Sequence, residues 1–205
     1  HAWQPSELSA LNESIAAGRS HEVSAEFAAY IREAQGIAAA GEHLFDPGIG
    51  RLIALWGFHS DEIQPRLPDP AAVKALLAQH PSIADLRVDG LRVSSRNKSV
   101  ALDFGGYLKG VALDRAAASL RQDGVAHALI NIGGNVMALG NRDGKPGGAA
   151  WRIGIQHPRP QSVGGAPLAT LELRDGEAIG TSGDYHRYFE VAGRRYCHLL
   201  DPRTG

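Results

Sequence analysis

The 205-residue chain has a single cysteine, Cys197, so it can build neither an intrachain disulfide framework nor a multi-thiolate zinc site. That count leaves the redox compartment open, because exported proteins can also lack disulfides. Neither sign of charge is in excess: 21 Lys and Arg face 22 Asp and Glu, the formal net charge is −1, and the sequence pI is about 6.8. A balance of this kind supplies no broad cationic surface, which excludes bulk electrostatic binding to nucleic acid or to an anionic membrane. Any phosphate chemistry must come from locally placed charge. No apolar run approaches the ~20 residues that span a bilayer, and no charged segment leads into an apolar one at the start, which predicts a soluble chain. Internal repeats, low-complexity tracts, a Gly-x4-Gly-Lys-Ser/Thr phosphate loop and a His-x3-His pair are missing as well.

What remains is ordinary globular composition, 43% hydrophobic and 21% charged, with 25 glycines and 11 prolines that call for many tight turns. The length suits one domain, or two small ones sharing a core. Ser6 to Asn12 reads as a short helical or turn segment. Phe27, Ala28, Ile31, Ala34 and Ala38 recur at helical spacing between a Ser24 cap and Gly41, which predicts a helix. Asp69-Pro70 opens another, to about Ala78. A third runs from Leu108 to Gln122, its apolar face expected along Leu108, Val111, Ala112, Ala116 and Leu120. Asp89-Gly90 marks a hairpin within 87–93, and strands are expected at 100–104, 126–132, 151–156, 168–173, 178–181, 188–191 and 195–200. A further short strand should end at Leu139. The type of 51–58 is open, and 59–68 and 140–149 read as loops. The sum is one α+β domain over residues 1–205, helices packed on a largely antiparallel sheet. The start at His1 without Met, and the stop at Gly205 straight after an Asp-Pro-Arg-Thr-Gly turn, are expected of a chain cut at both ends.

Three clusters stand out for chemistry. Asp103-Phe-Gly-Gly-Tyr-Leu-Lys-Gly110 sets an acid and a lysine around a glycine turn between a strand and a helix. Such a turn suits a phosphorylated ligand, because glycine admits close backbone approach and a helix start presents free N–H groups. It equally suits a plain strand-to-helix turn with Lys109 exposed. Asn131-Ile-Gly-Gly-Asn135 is a second glycine pair, either a ligand turn or a bulge or tight corner. Thr181-Ser-Gly-Asp-Tyr185 with His198-Leu-Leu-Asp-Pro-Arg-Thr-Gly205 is the third. An imidazole there can act as a general base near neutrality, or be a strand-end histidine satisfied by backbone. The other histidines lack such a setting, and His43 and His186 are too isolated to ligate a metal with it. Trp56 reads as a core residue, whereas Trp3, among polar residues, has a face to offer a planar ring.

Taken in order, Trp3 to Asn12, Phe45 to Phe58, Asp103 to Arg115, Asn131 to Asn135, Thr181 to Tyr185 and His198 to Gly205 resemble the FAD:protein FMN transferases, the ApbE-type flavin transferase family. The resemblance implies a T-fold-like α+β domain that binds FAD, uses Mg2+, and transfers FMN to a Thr or Ser hydroxyl of a partner flavoprotein with release of AMP. By the same resemblance Trp3 packs on the flavin ligand, and Leu44, Phe45 and Asp46 line the nucleotide. Asp103, Lys109 and Leu200 contact FAD, Gly106 offers its carbonyl to the metal, and His198 is the catalytic histidine. Asn135 departs from the pattern, which commonly has Asp there. The family's further metal ligands, an Asp with a nearby Thr, come after the point where this sequence stops, so the chain as given is expected to hold Mg2+ weakly or not at all unless that segment is present. The family implies a periplasmic location, or the outer face of the cytoplasmic membrane, with any membrane tie through a lipid anchor outside this chain. Two other readings stay open: a Mg2+-dependent FAD pyrophosphatase, and a non-catalytic FAD-binding module.

Overall fold

A computed structural model describes residues 4–159 and 166–205. They form two compact units: the chain up to Gly106 together with His186–Gly205, and Tyr107–Tyr185.

The first unit opens with α1 (Glu7–Ala17), a full helix where the sequence suggested a short segment. Its start is closed twice, since the Ser9 N–H donates to Ser6 Oγ and the Ser6 N–H to Ser9 Oγ. Its length is held by the stripe Leu8, Leu11, Ser14 and Ile15, all buried. β1 (His21–Glu22) leads to α2 (Ala25–Ala40), which is capped by Ser24 and buries the five expected apolar positions. Glu7 accepts from both the backbone N–H and the hydroxyl of Ser24, tying the two helix starts together. The open stretch after Gly50 is helical: α3 spans Gly50–Leu55. α4 (Pro70–Leu77) starts as expected, the Asp69 carboxylate accepting from Ala71 N. A 3₁₀ turn, Ile83–Asp85, precedes β2 (Leu86–Asp89) and β3 (Arg92–Ser95). β3 is the centre of an antiparallel sheet of order β1-β3-β2. The hairpin turn is Gly90-Leu91, with the glycine at φ 57° in the first central position.

The strand expected at 100–104 is not one. It is an extended, buried segment with a single parallel bridge, Ala101 to Ile49, and Val100, Leu102 and Phe104 point inward. On one side Ala101 N and Asp103 N donate to the carbonyls of Gly48 and Pro47, and Gly50 N donates to Ala101 O. On the other, a side chain replaces a strand: Asn12 Nδ2 donates to Leu102 O at 2.9 Å and Leu102 N donates to Asn12 Oδ1 at 2.7 Å. The alternation of apolar residues is that of a strand, but its partners are a loop and an amide.

In the second unit α5 (Leu108–Gln122) has the expected bounds but a different buried face. Leu113 and Ala117 are buried with Leu120 beside them, whereas Leu108 is 37% exposed. The reason is the hairpin it meets. β4 (Ala128–Ile132) and β5 (Asn135–Leu139) are joined by Gly133-Gly134, both at positive φ, and β5 presents Met137 and Leu139 to Leu113 and Ala117. Val136 and Ala138, on the other face of β5, pack with Leu173, Trp151 and Ile153 from β6 (Trp151–Ile155) and β7 (Ala169–Leu173). β5 is therefore covered on both faces. A short β8 (Ala178–Ile179) pairs along its edge. Residues 140–149 form no helix or strand.

The chain returns to the first unit as an antiparallel hairpin, β9 (Tyr188–Val191) and β10 (Arg194–Cys197), turned at Ala192-Gly193. The last strand ends at Cys197, short of the expected Leu200, because 199–200 run on into a turn in which Thr204 N and Gly205 N both donate to Asp201 O. The hairpin is pinned by stacked rings: Phe189 on Tyr196 at 5.5 Å, Phe189 on Phe58 at 5.6 Å and Trp56 on Tyr196 at 5.5 Å. All four sheets are antiparallel, and helices with antiparallel sheets make the architecture α+β.

Candidate active site

His198 stands one residue beyond β10. Its Nδ1 lies 3.2 Å from the Arg187 carbonyl. A carbonyl only accepts, so Nδ1 carries the proton and the neutral ring keeps its lone pair on Nε2. Nε2 has no hydrogen-bond partner among the described residues and is not buried. The ring sits edge-on to Phe58, centroids 6.3 Å apart at 71°. Nδ1 is thus satisfied by backbone, as in the strand-end alternative, and Nε2 has no partner among the described residues.

Beside Phe58, His59 Nε2 meets Asp103 Oδ2 at 2.7 Å, and Gly105 N donates to Asp103 Oδ1 at 2.7 Å. Burial pushes the Asp103 carboxyl up. The His59 hydrogen bond, the Gly105 N–H and the charge of His59 together outweigh it and hold the group below the usual carboxylate range. Gly106 follows, and a Cβ there would come 3.1 Å from Phe45 Cε2, so a side chain at 106 would ask the Phe45 ring to give by a few tenths of an ångström. The fold thus brings Phe45 to Gly106, and Asp103 to the loop that carries Phe58.

Asp46 faces inward, its side chain 2% exposed. Oδ1 accepts from Gly48 N and Ile83 N, both at 2.8 Å, and Oδ2 accepts from Ser82 Oγ at 2.6 Å and lies 2.9 Å from His43 Nδ1. With both oxygens engaged, Asp46 holds the 43–48 loop onto the 3₁₀ turn. Glu42 and His43 both have φ above +50°, unusual for non-glycine residues. Leu44 is 57% exposed next to this brace, and Leu200 is half-buried beyond His198.

Lys109 belongs to the second unit, in the first turn of α5, where it is exposed and its Cδ passes 3.8 Å from the Cβ position of Gly133. Two of the glycine motifs therefore meet within that unit, and Gly133-Gly134 is a hairpin turn rather than a bulge. Asp184 of the Thr181–Tyr185 segment holds Arg159 through both carboxylate oxygens. Trp3 lies outside the described residues. Trp56 is half-buried rather than core, donating from Nε1 to Gly205 O at 2.9 Å. The adjoining Asp201 is held down to about 2 by the side chain and backbone N–H of Arg203.

Sequence reasoning set His43 aside as isolated and did not single out His59, yet each has a carboxylate partner. Asp103 is 44 positions from His59, so no local spacing announces the pair. Among the described residues no three His, Cys, Asp or Glu side chains converge as a metal site. At Gly106 the nearby carboxylate, Asp103, is committed to His59 and Gly105. A lone carbonyl does not approach the roughly six oxygens that Mg2+ requires, so the residues present do not fit that ion.

The first unit thus holds an imidazole with an open Nε2 and a carboxylate fixed by His59 and Gly105. The comparisons are specific. The ApbE family profile matches residues 1–205, and the chain belongs to the ApbE family. It is 43% identical over its whole length to an FAD:protein FMN transferase of Rhodobacter capsulatus, of which it covers 38%. It is 30% identical to that of Haemophilus influenzae, with 98% of the chain and 57% of the relative aligned. Among solved structures, the ApbE protein of Thermotoga maritima superposes with a TM-score of 0.82 at 35% identity, covering 95% of this chain and 61% of that one. The flavin transferase ApbE of Vibrio cholerae superposes with a TM-score of 0.77 at 30% identity, covering 99% and 62%. The chain thus spans about two fifths to three fifths of the relatives it matches.

Proposed function

We propose that this chain is the FAD-binding and proton-accepting part of an FAD:protein FMN transferase. The observation that carries the proposal is His198, whose Nδ1 is committed to a carbonyl and whose Nε2 is open. Nε2 takes the proton of a Thr or Ser hydroxyl on a partner flavoprotein. The freed oxygen attacks the FMN phosphorus of FAD, the bond from that phosphorus to the bridging oxygen breaks, and AMP leaves with that oxygen. By the family resemblance Leu44, Phe45, Asp103, Lys109 and Leu200 would contact FAD, and Trp3 would pack on the flavin. Asp46 acts for the nucleotide loop by holding it in place. The reaction belongs in the periplasm or on the outer face of the cytoplasmic membrane, a placement that rests on the resemblance alone.

The family resemblance also implies magnesium, which would neutralise diphosphate charge where a complete ligand set held it. By the resemblance Gly106 would offer the ion its carbonyl, one oxygen of the roughly six it needs. Calorimetric titration of this chain with MgCl2 is expected to give no saturable heat into the low millimolar range. Tight binding would show that these residues do assemble an oxygen cage.

The test is incubation of a full-length version of the protein with FAD, MgCl2 and a flavin-accepting domain, followed by a denaturing gel. Flavin fluorescence on the acceptor, matched by AMP release, is the expected result. FAD cleaved at the same rate without acceptor would identify a pyrophosphatase instead, and saturable FAD binding with no AMP released would identify a binding module.

A further inference from the structure

We infer that Arg187 is the positioning residue for His198, fixing both its tautomer and the place of its ring. Two parts of Arg187 act. Its carbonyl accepts from His198 Nδ1 at 3.2 Å and from His198 N at 3.3 Å, gripping the imidazole and its own backbone together. Its guanidinium reaches the other way, Nη2 donating to Phe58 O at 2.7 Å and Ser60 O at 3.1 Å. The circuit closes on Phe58, whose ring stands against the His198 imidazole and whose carbonyl anchors Arg187. His198, Arg187 and Phe58 therefore form a ring of contacts in which no member shifts without moving the other two. His59, between Phe58 and Ser60, is bonded to Asp103, so the same clamp ties His198 to that carboxylate.

A charged donor bridging two carbonyls suits arginine in particular. The planar fork keeps its geometry, whereas lysine places a single flexible ammonium. Loosening the clamp lets the imidazole rotate or exchange tautomers, so that the lone pair no longer sits on the open nitrogen. Displacing a proton acceptor by about 1 Å can cost on the order of 100-fold in rate.

The inference rests on His198 being the base of the proposed transfer, but one arm of its test does not. In protein labelled with 15N at histidine, His198 is expected to show the Nδ1–H tautomer, and Arg187→Met to give a mixture. In the transfer assay Arg187→Met should lower kcat by about tenfold or more. The KM for FAD should stay within about twofold, and Arg187→Lys should recover part of the rate. An unchanged tautomer with unchanged kcat in Arg187→Met overturns the inference. Parallel loss of FAD affinity and folded spectrum in both variants, with the His198 signal of Arg187→Lys unaltered, overturns it too, because the role is then only structural. Should the wild type transfer no flavin, the nitrogen spectra still decide whether Arg187 controls His198.

Discussion

His198→Ala is expected to lower flavin transfer by about 10² to 10⁴-fold, the range a positioned general base contributes. The loss should fall on turnover rather than on FAD affinity, because Nε2 is needed when the acceptor hydroxyl gives up its proton. The fold should survive, since the rings of Trp56, Phe58, Phe189 and Tyr196 hold the hairpin without the imidazole. In-gel fluorescence over a time course, with FAD quenching measured in parallel, separates the two effects. A variant that transfers at the wild-type rate would remove His198 from the mechanism.

Asp46→Ala should instead strike stability. Truncation strands the buried N–H groups of Gly48 and Ile83, which now share Oδ1, and leaves Ser82 and His43 without their acceptor. We expect a loss of about 3–5 kcal/mol, the usual cost of removing one partner from a buried charged network. That is a large share of the roughly 5–15 kcal/mol that holds a domain folded. Asp46→Asn, which keeps one carbonyl oxygen for the two backbone donors, should lose less, about 1–3 kcal/mol. Urea unfolding of the variants measures both. A loss under about 1 kcal/mol for the alanine variant would mean the amides find other acceptors.

What could be read in the sequence was whatever physics writes locally. α2 and α4 carry their own caps, and α5 its own apolar period, so their bounds were legible. The buried face of α5 was not, because Met137 and Leu139 on β5 select Leu113 over the alanines around it. α3 has six residues, too few for a period to show. Residues 100–104 alternate like a strand, yet the groups that satisfy them come from Asn12 and from 47–50, and pairing partners leave no mark on a single segment. At the site, motifs and family resemblance pointed to His198, Asp103 and Asp46. Arg187 and His59 stayed invisible because each acts through a contact whose other half is distant in the chain. The inward turn of Asp46 was equally hidden, since an acid that braces and an acid that binds look alike in one dimension.

The Asn12 amide has one more consequence. Leu102 has both its main-chain groups occupied by that single side chain, so a buried segment with no strand on that side leaves neither group unsatisfied. Val100, Leu102 and Phe104 alternate with Ala101 and Asp103 as in a strand, and such a segment costs stability wherever its buried N–H and C=O groups go unpaired. In this chain one asparagine stands in for a whole neighbouring strand at that point of the core.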